Sequence, residues 1–327
     1  MIRRVYCAPR LGLARHFEKF RPQYDALGVE AVIPPLEGQQ FSAAEMAHLI
    51  VGVDTVIAGD DTIDAQVLDA GKASGLKAVI KWGIGTDGID KVHATSISMP
   101  VYNTPGVFGE EVADLALSHL LMLTRKTHLM DQSVREGGWL KTEGRTLAGM
   151  TAGVVGLGSI GQAIARRTVA FGMETIGYDP FDYDPDLLAS MQIVQVPLDE
   201  VLTRSDALLI ACALTPDNHH LIGKQALVMV EPGVFIVNVS RGPLIDEAAL
   251  VEALEDGRVA GAGLDVFEEE PLPNDAALRR VADRCTFSTH NGSNTAEAVA
   301  RINQMTTDIA FDVLGVKRAN FEANRVA

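Results

Sequence analysis

The chain has 327 residues, of which 47% are hydrophobic, 22% charged and 6% aromatic, with a formal net charge of −15. That length exceeds the roughly 250–300 residues at which one hydrophobic core stops growing, so two domains are expected. The 28 Lys and Arg are outnumbered by 43 Asp and Glu and form no basic cluster, which argues against nucleic-acid binding and requires any anionic ligand to be held by local groups.

The first third alternates short apolar runs with helical stretches. Strands are predicted at residues 4–8, 30–33, 55–58 and 77–81, and helices at 14–27, 43–51 and 65–73. Val101-Tyr102 and the turn Asn103-Thr104-Pro105-Gly106 close this block. A helical pattern follows over 109–135. Its apolar positions, among them Val112, Leu115, Leu117, Leu120, Leu121 and Leu123, are too dense for a surface helix and predict burial between domains or subunits. A second alternation starts at Thr151, with strands at 152–155, 174–178, 207–211, 234–237, 260–264 and 286–287, and a last helix covers 295–314. Strand and helix in turn predict two doubly wound α/β domains with the active site between them.

Cys7, Cys212 and Cys285 are scattered and form no CxxC pair, so neither a disulfide scaffold nor a zinc site is expected, and a reducing cytoplasm is. No apolar run approaches the roughly 20 residues of a membrane span, and the opening MIRRVYCAPR lacks a signal-peptide core. His16, His48, His93, His119 and His128 fall in helical stretches without metal-ligand spacing, and His219-His220 falls in a polar loop, so no metal is implied.

Val154-Val155-Gly156-Leu157-Gly158-Ser159-Ile160-Gly161 carries a GxGxxG pattern between an apolar strand and an apolar-periodic helix. Gly156 is expected to make the tight turn, Gly158 to admit a pyrophosphate against the backbone, and Gly161 to let helix and strand pack closely. The helix start at Ser159 and Ile160 offers N–H groups and a partial positive charge to the phosphates. Asp179 ends the next strand at about the 20-residue spacing of a ribose-binding carboxylate. Pro180, Phe181 and Asp182 follow it without an Arg, so NAD is favoured over NADP.

With these features the sequence resembles the NAD-dependent D-2-hydroxyacid dehydrogenases, the family that includes phosphoglycerate dehydrogenase. The resemblance is carried by Lys81-Trp82-Gly83-Ile84-Gly85-Thr86-Asp87-Gly88-Ile89-Asp90, by Asn103-Thr104-Pro105-Gly106 and by Glu111-Val112-Ala113-Asp114. It continues in Asn238-Val239-Ser240-Arg241-Gly242, Gly263-Leu264-Asp265-Val266-Phe267, Glu270-Pro271, and His290 with Gly292. It implies a Rossmann-type NAD domain (105–293) nested in a discontinuous flavodoxin-like substrate domain (1–104 and 294–327), without the regulatory domain of longer phosphoglycerate dehydrogenases. Two departures bear on the shape of the pocket: Gly88 where the family usually has Asn, and Asn291 where it often has an aliphatic residue.

Reduction of a 2-keto acid needs an anchored carboxylate, a proton for the carbonyl oxygen and a hydride donor facing the carbonyl carbon. Arg241 suits the first task, because a guanidinium pairs bidentately with a carboxylate and can polarise the carbonyl. His290 suits proton transfer, and Glu270 would orient it and favour its charged form. Glu268 and Glu269 adjoin Glu270, and only Pro271 after it selects the last of the three. The resemblance further implies that the backbone N–H groups of Ile84 and Gly85 hold the substrate carboxylate. Asp265 would hold the carboxamide end of the nicotinamide, and Cys212, Ala213, Val239 and Gly292 would border the cofactor. Taken singly, an Arg after a strand, a lone His or a Glu in an acidic run is most often structural. Their order on successive strand ends favours the chemical reading.

The expected function is hydride transfer between NAD(H) and a small D-2-hydroxy or 2-keto acid, with 3-phosphoglycerate among the candidates. An NADH-dependent corepressor-like binding protein and a phosphite-type dehydrogenase are the alternatives. A homodimer built on residues 109–135 is expected, with Trp139 either a packing anchor or a group reaching the partner subunit.

Overall fold

The computed structural model describes residues 2–8, 12–35 and 40–327. The chain divides into two compact units, one of Met1–Val107 with Asn294–Ala327 and one of Phe108–Ser293.

The first unit holds a five-stranded sheet of β1 (Arg3–Cys7), β2 (Val29–Val32), β3 (Thr55–Ala58), β4 (Ala78–Lys81) and β5 (Val101–Tyr102). The order is β2-β1-β3-β4-β5 and every pair is parallel, a flavodoxin-like arrangement. β3 and β4 are buried along their whole length, which explains their unbroken apolar runs: both faces are covered. The two-residue period of a strand sorts β1 between the two layers. Tyr6 and Ala8 join a core with Met46, Ile50, Val67 and Leu68, while Val5 and Cys7 join one with Tyr24, Ile309 and Phe311. Caps set the helix starts. Ser42 and Glu45 form a reciprocal capping box, Asp64 caps Ala65–Ser74, and Thr295 accepts from the Ala298 N–H to open Ala296–Val313.

The single helix expected over 14–27 is instead two short helices, Gly12–Arg15 and Arg21–Ala26, separated by a 3₁₀ turn at Phe17–Lys19. Pro22 is the reason. It lacks an N–H and its ring would clash inside a continuous helix, whereas it is tolerated in the first turn of a new one.

The second unit holds a seven-stranded sheet of β6 (Thr151–Val155), β7 (Glu174–Tyr178), β8 (Ile193–Gln195), β9 (Ala207–Ile210), β10 (Val234–Asn238), β11 (Val259–Leu264) and β12 (Cys285–Phe287). The order is β12-β11-β10-β9-β6-β7-β8, and the pairing is parallel throughout. Successive strands leave β6 first on one side and then on the other, so β6 and β9 flank the switch point of a Rossmann-type sheet. β8 has no counterpart among the predicted strands. Its three residues at the sheet edge bury only Ile193, too little for a periodic signal.

The helix expected over 109–135 breaks at Lys126, which has φ 54°, into Gly109–Arg125 and Thr127–Arg135. The last carbonyls of the first helix find other donors: Arg145 N–H to Thr124 O (2.8 Å) and His128 Nδ1 to Met122 O (3.2 Å). Gly109–Arg125 packs on β10, β11 and β12 and on the helix Ser159–Ala170, burying Val112, Ala116, Leu120 and Leu123. Core packing within the unit therefore accounts for the buried part of its apolar density, while Leu115 and Leu121 stay half-buried. Thr127–Arg135 buries no side chain. Among the described residues no helix is long and apolar enough to cross a membrane.

Candidate active site

The carboxyl ends of β6, β7, β9, β10, β11 and β12 each lead into a residue singled out from the sequence. Ligands of open α/β sheets bind on this edge. At the end of β6, Gly156 has φ 96°, and a Cβ there would lie 2.5 Å from Cys212 N. The tight turn and the approach of the strand 9 loop thus both require glycine. A Cβ on Gly161 would fall 1.8 Å from Gly156 O, so only glycine lets the helix Ser159–Ala170 start this close to the strand. At Gly158 a Cβ would meet nothing within 4 Å. The space beside it is open and faces the exposed start of the helix at Ser159 and the half-buried Ile160. Anion-seeking N–H groups and this vacant approach fit a dinucleotide pyrophosphate.

Asp179, one step past β7, bridges two turns: Oδ2 accepts from Leu157 N–H (2.8 Å) and Oδ1 from Phe181 N–H (3.1 Å). Its carboxylate is thereby fixed beside the glycine loop, where ribose hydroxyls would donate to the remaining lone pairs. Cys212 and Ala213 follow β9. Burial pushes the Cys212 thiol up to about 11, so this sulfur is no thiolate nucleophile at neutral pH. Ser240 Oγ donates to Cys212 O and ties the end of β10, with buried Val239, to that loop.

Arg241 is half-buried, and Nη1 donates to Ser240 O (2.8 Å). Asn238 organises the turn beneath it, donating from Nδ2 to Arg241 O (2.9 Å) and accepting at Oδ1 from Ser240 N–H (3.1 Å). A Cβ on Gly242 would lie 1.8 Å from the Phe267 carbonyl carbon, so glycine here lets the Arg241 turn press against the segment that carries Glu270. Glu270 uses both oxygens: Oε1 accepts from Phe267 N–H (3.0 Å) and Oε2 lies 2.8 Å from His290 Nδ1. The two side chains are 27% and 34% exposed, so the pair is partly shielded yet reachable. Because a carboxylate only accepts, Nδ1 carries a hydrogen and Nε2 is the atom that gains and loses the exchangeable proton.

His290 has φ 52°, a left-handed conformation that costs a non-glycine residue about 1 kcal/mol or more. Asp265, 2% exposed, holds it there. Asp265 O accepts from His290 N–H (2.7 Å), Oδ1 from Asn291 N–H (2.8 Å) and Oδ2 from Gly292 N–H (2.9 Å). The structure thus brings Arg241, Glu270, Asp265, His290 and Gly292 onto neighbouring strand ends.

Three supporting groups escaped the sequence reading. Ser288 Oγ donates to Asp265 Oδ1 (2.6 Å), and the buried His119 lies between Ser288 Oγ and Thr286 Oγ1. Glu247 and Glu268 clasp each other reciprocally, N–H to carboxylate, at 3.0 and 2.7 Å, and His220 Nε2 lies 2.9 Å from Glu268. This clasp anchors the loop that delivers Glu270. Burial pushes the Glu247 carboxyl up, the Glu268 N–H opposes the rise, and the charges of Glu268 and Glu270 add to it. Spacing alone could not reveal these contacts, because the partners stand 21 to 169 residues apart.

In the first unit, the loop after β4 is shaped by Thr104 Oγ1, which accepts from Gly83 N–H (3.2 Å), and by Asn103 Nδ2, which donates to Ile84 O (2.9 Å). Among the described residues the N–H groups of Ile84 and Gly85 find no acceptor. They are donors of the kind a carboxylate needs. Gly88 O accepts from Ile63 N–H (2.9 Å), so this turn is held through the backbone without a side-chain amide.

Comparison with known proteins identifies the family. Residues 117–292 match the family described as D-isomer specific 2-hydroxyacid dehydrogenase, NAD binding domain. A hydroxypyruvate reductase of Thermotoga maritima is 37% identical over 277 residues, covering 83% of this chain and 88% of that one. A D-3-phosphoglycerate dehydrogenase of Mycobacterium tuberculosis is 41% identical over 254 residues, covering 77% of this chain and 47% of that longer one. The D-lactate dehydrogenase of Escherichia coli superposes with a TM-score of 0.81 at 28% identity, over 99% of this chain and 100% of that one. The parallel sheets, the glycine loop with its helix start and these relatives together make the chain a member of the D-isomer specific 2-hydroxyacid dehydrogenases, an NAD-dependent enzyme.

Proposed function

We propose that the chain reduces a small, unphosphorylated 2-keto acid, hydroxypyruvate or a similar two- or three-carbon compound, to the D-2-hydroxy acid. The observation that carries this reading is the pair of Glu270 Oε2 and His290 Nδ1 at 2.8 Å, which leaves Nε2 to deliver a proton. The bound nicotinamide supplies the hydride. Arg241 anchors the substrate carboxylate and draws charge from the carbonyl oxygen that receives the proton. Asp179 orients the ribose and repels a 2′-phosphate, while Asp265, Cys212, Ala213, Val239 and Gly292 border the cofactor.

The loop that bears Ile84 and Gly85 favours a substrate without phosphate. It contains Asp87 and Asp90, and the cation preceding it, Lys81, is held by Asp60 Oδ1 (3.1 Å) and Gly59 O. Neither feature suits a second anionic group. The test is NADH oxidation with hydroxypyruvate, glyoxylate and pyruvate, beside NAD reduction with 3-phosphoglycerate. Turnover on a simple keto acid far above that on 3-phosphoglycerate is expected. A preference for 3-phosphoglycerate would contradict the reading.

The enzyme is further read as a homodimer. Thr127–Arg135 has nine residues and buries none of them, and so short a helix is marginal without packing. Val134, Trp139 and Leu140 follow along the same stretch at 55%, 78% and 45% exposure, an apolar surface that a second copy would cover.

A further inference from the structure

We propose that His119 is a positioning residue for His290: through Ser288 and Asp265 it locks the turn that holds the proton donor. This rests on the assignment of His290 as the acid.

The turn is strained at its critical residue, with His290 at φ 52°. Such a conformation persists only where its surroundings over-determine it. Here the Asp265 carboxylate does so, since its two oxygens take the N–H groups of Asn291 and Gly292. A Cβ on Gly292 would stand 3.1 Å from Oδ2, so the fit is close and depends on how the carboxylate is rotated. That rotation is set from behind by Ser288 Oγ, 2.6 Å from Oδ1.

A hydroxyl has one hydrogen. Ser288 commits it to Asp265, so it can only accept from His119 Nε2 at 2.9 Å. Nε2 therefore carries the hydrogen of the imidazole. Nδ1 is then the acceptor, and Thr286 Oγ1 donates to it at 2.7 Å. The hydrogens run one way, Thr286 to His119 to Ser288 to Asp265, and each donor reinforces the next. The ring cannot turn away. His119 is 1% exposed, and its helix is pressed against β11 where a Cβ on Gly263 would lie 2.6 Å from His119 Cβ. Burial pushes the imidazole below its ordinary value against the pull of Asp265, consistent with the neutral form the chain of donors requires.

Without His119, Ser288 and then Asp265 gain rotational freedom, and the His290 turn can relax away from Glu270. Loss of proton-donor geometry lowers kcat, whereas the glycine loop and Asp179 still hold the cofactor. His119→Leu keeps the volume and removes both hydrogen bonds. His119→Gln places an amide N–H near the Nε2 position, within reach of Ser288. His119→Asn reaches only the Nδ1 position.

The experiment measures kcat on the best keto acid and NADH affinity by cofactor fluorescence for these three variants and for His290→Ala. His119→Leu is expected to lower kcat about tenfold, within the roughly 10²-fold that ~1 Å of misplacement can cost. NADH affinity should stay within about threefold, Gln should recover most of the loss and Asn should not. If His119→Leu fails to fold, Ser288→Ala serves in its place with the same expected loss. ¹⁵N NMR of the wild type should show the Nε2–H form of His119. Unchanged kcat in His119→Leu or Ser288→Ala, equal behaviour of Gln and Asn, or the Nδ1–H form overturns the proposal while a slow His290→Ala leaves the acid assignment standing. Full turnover in His290→Ala overturns that assignment and this proposal with it.

Discussion

Glu270 Oε2 meets His290 Nδ1 at 2.8 Å, joining a residue that follows β11 to one that follows β12. The contact puts a hydrogen on Nδ1, and in the proposed reaction it would support the charged imidazolium that gives up its proton from Nε2.

Glu270→Gln tests this support. The amide oxygen can still accept from Phe267 N–H, but the amide NH₂ then faces His290 Nδ1, which must accept rather than donate. The imidazolium loses its acceptor. A charge-assisted hydrogen bond worth about 1.5–3 kcal/mol corresponds to a fall in kcat of roughly 10- to 100-fold. Steady-state kinetics should show that fall with the KM for NADH little changed.

Two of the three glycines of the loop, Gly158 and Gly161, should respond in opposite ways. Gly161→Ala puts a methyl 1.8 Å from Gly156 O, and relieving that overlap is expected to cost stability by more than the ~1–3 kcal/mol of ordinary overpacking. Gly158→Ala meets no protein atom within 4 Å. Thermal melts should show a lowered Tm for the first and a wild-type Tm for the second, and NADH titration should show weakened binding for Gly158→Ala.

Burial holds the His119 imidazole below its ordinary value of 6.5, with Asp265 the nearby charge that opposes the shift. A depressed imidazole means that the unfolded chain binds the proton more readily than the folded one. The contribution of His119 to stability is therefore full above about pH 6.5 and is lost as pH falls from there toward the lowered folded value. Melts between pH 8 and 5 should show a steeper fall in Tm for the wild type than for His119→Gln.

The exposed apolar stretch predicts association. Light scattering at micromolar concentration should give about twice the 35.0 kDa chain mass, and Val134→Asp should shift the population toward a single chain. A monomer at every concentration would contradict the dimer.

Much of the fold is legible in the residues because local signals coincide there. β3 and β4 read as buried strands from their apolar runs, and the strand-turn-helix order around the glycine loop is legible because the three signals follow in sequence. Legibility ends where the cause is distant or lacks a residue signature. The break at Lys126 has neither Gly nor Pro and rests on donors from Arg145 and His128. His119 reads as one more helical histidine, because Thr286 and Ser288 are 167 and 169 positions away. Glu270 could be told from Glu268 and Glu269 only by Pro271; the structure separates them, with Glu268 held by Glu247 and His220 and Glu270 facing His290.

The central claim, that His290 delivers the proton to a small 2-keto acid, is tested most directly by single-turnover reduction of that substrate by His290→Ala preloaded with NADH. The account predicts NADH affinity near wild type and a rate lowered by about 10²–10⁴-fold. A rate within a few-fold of wild type would contradict it.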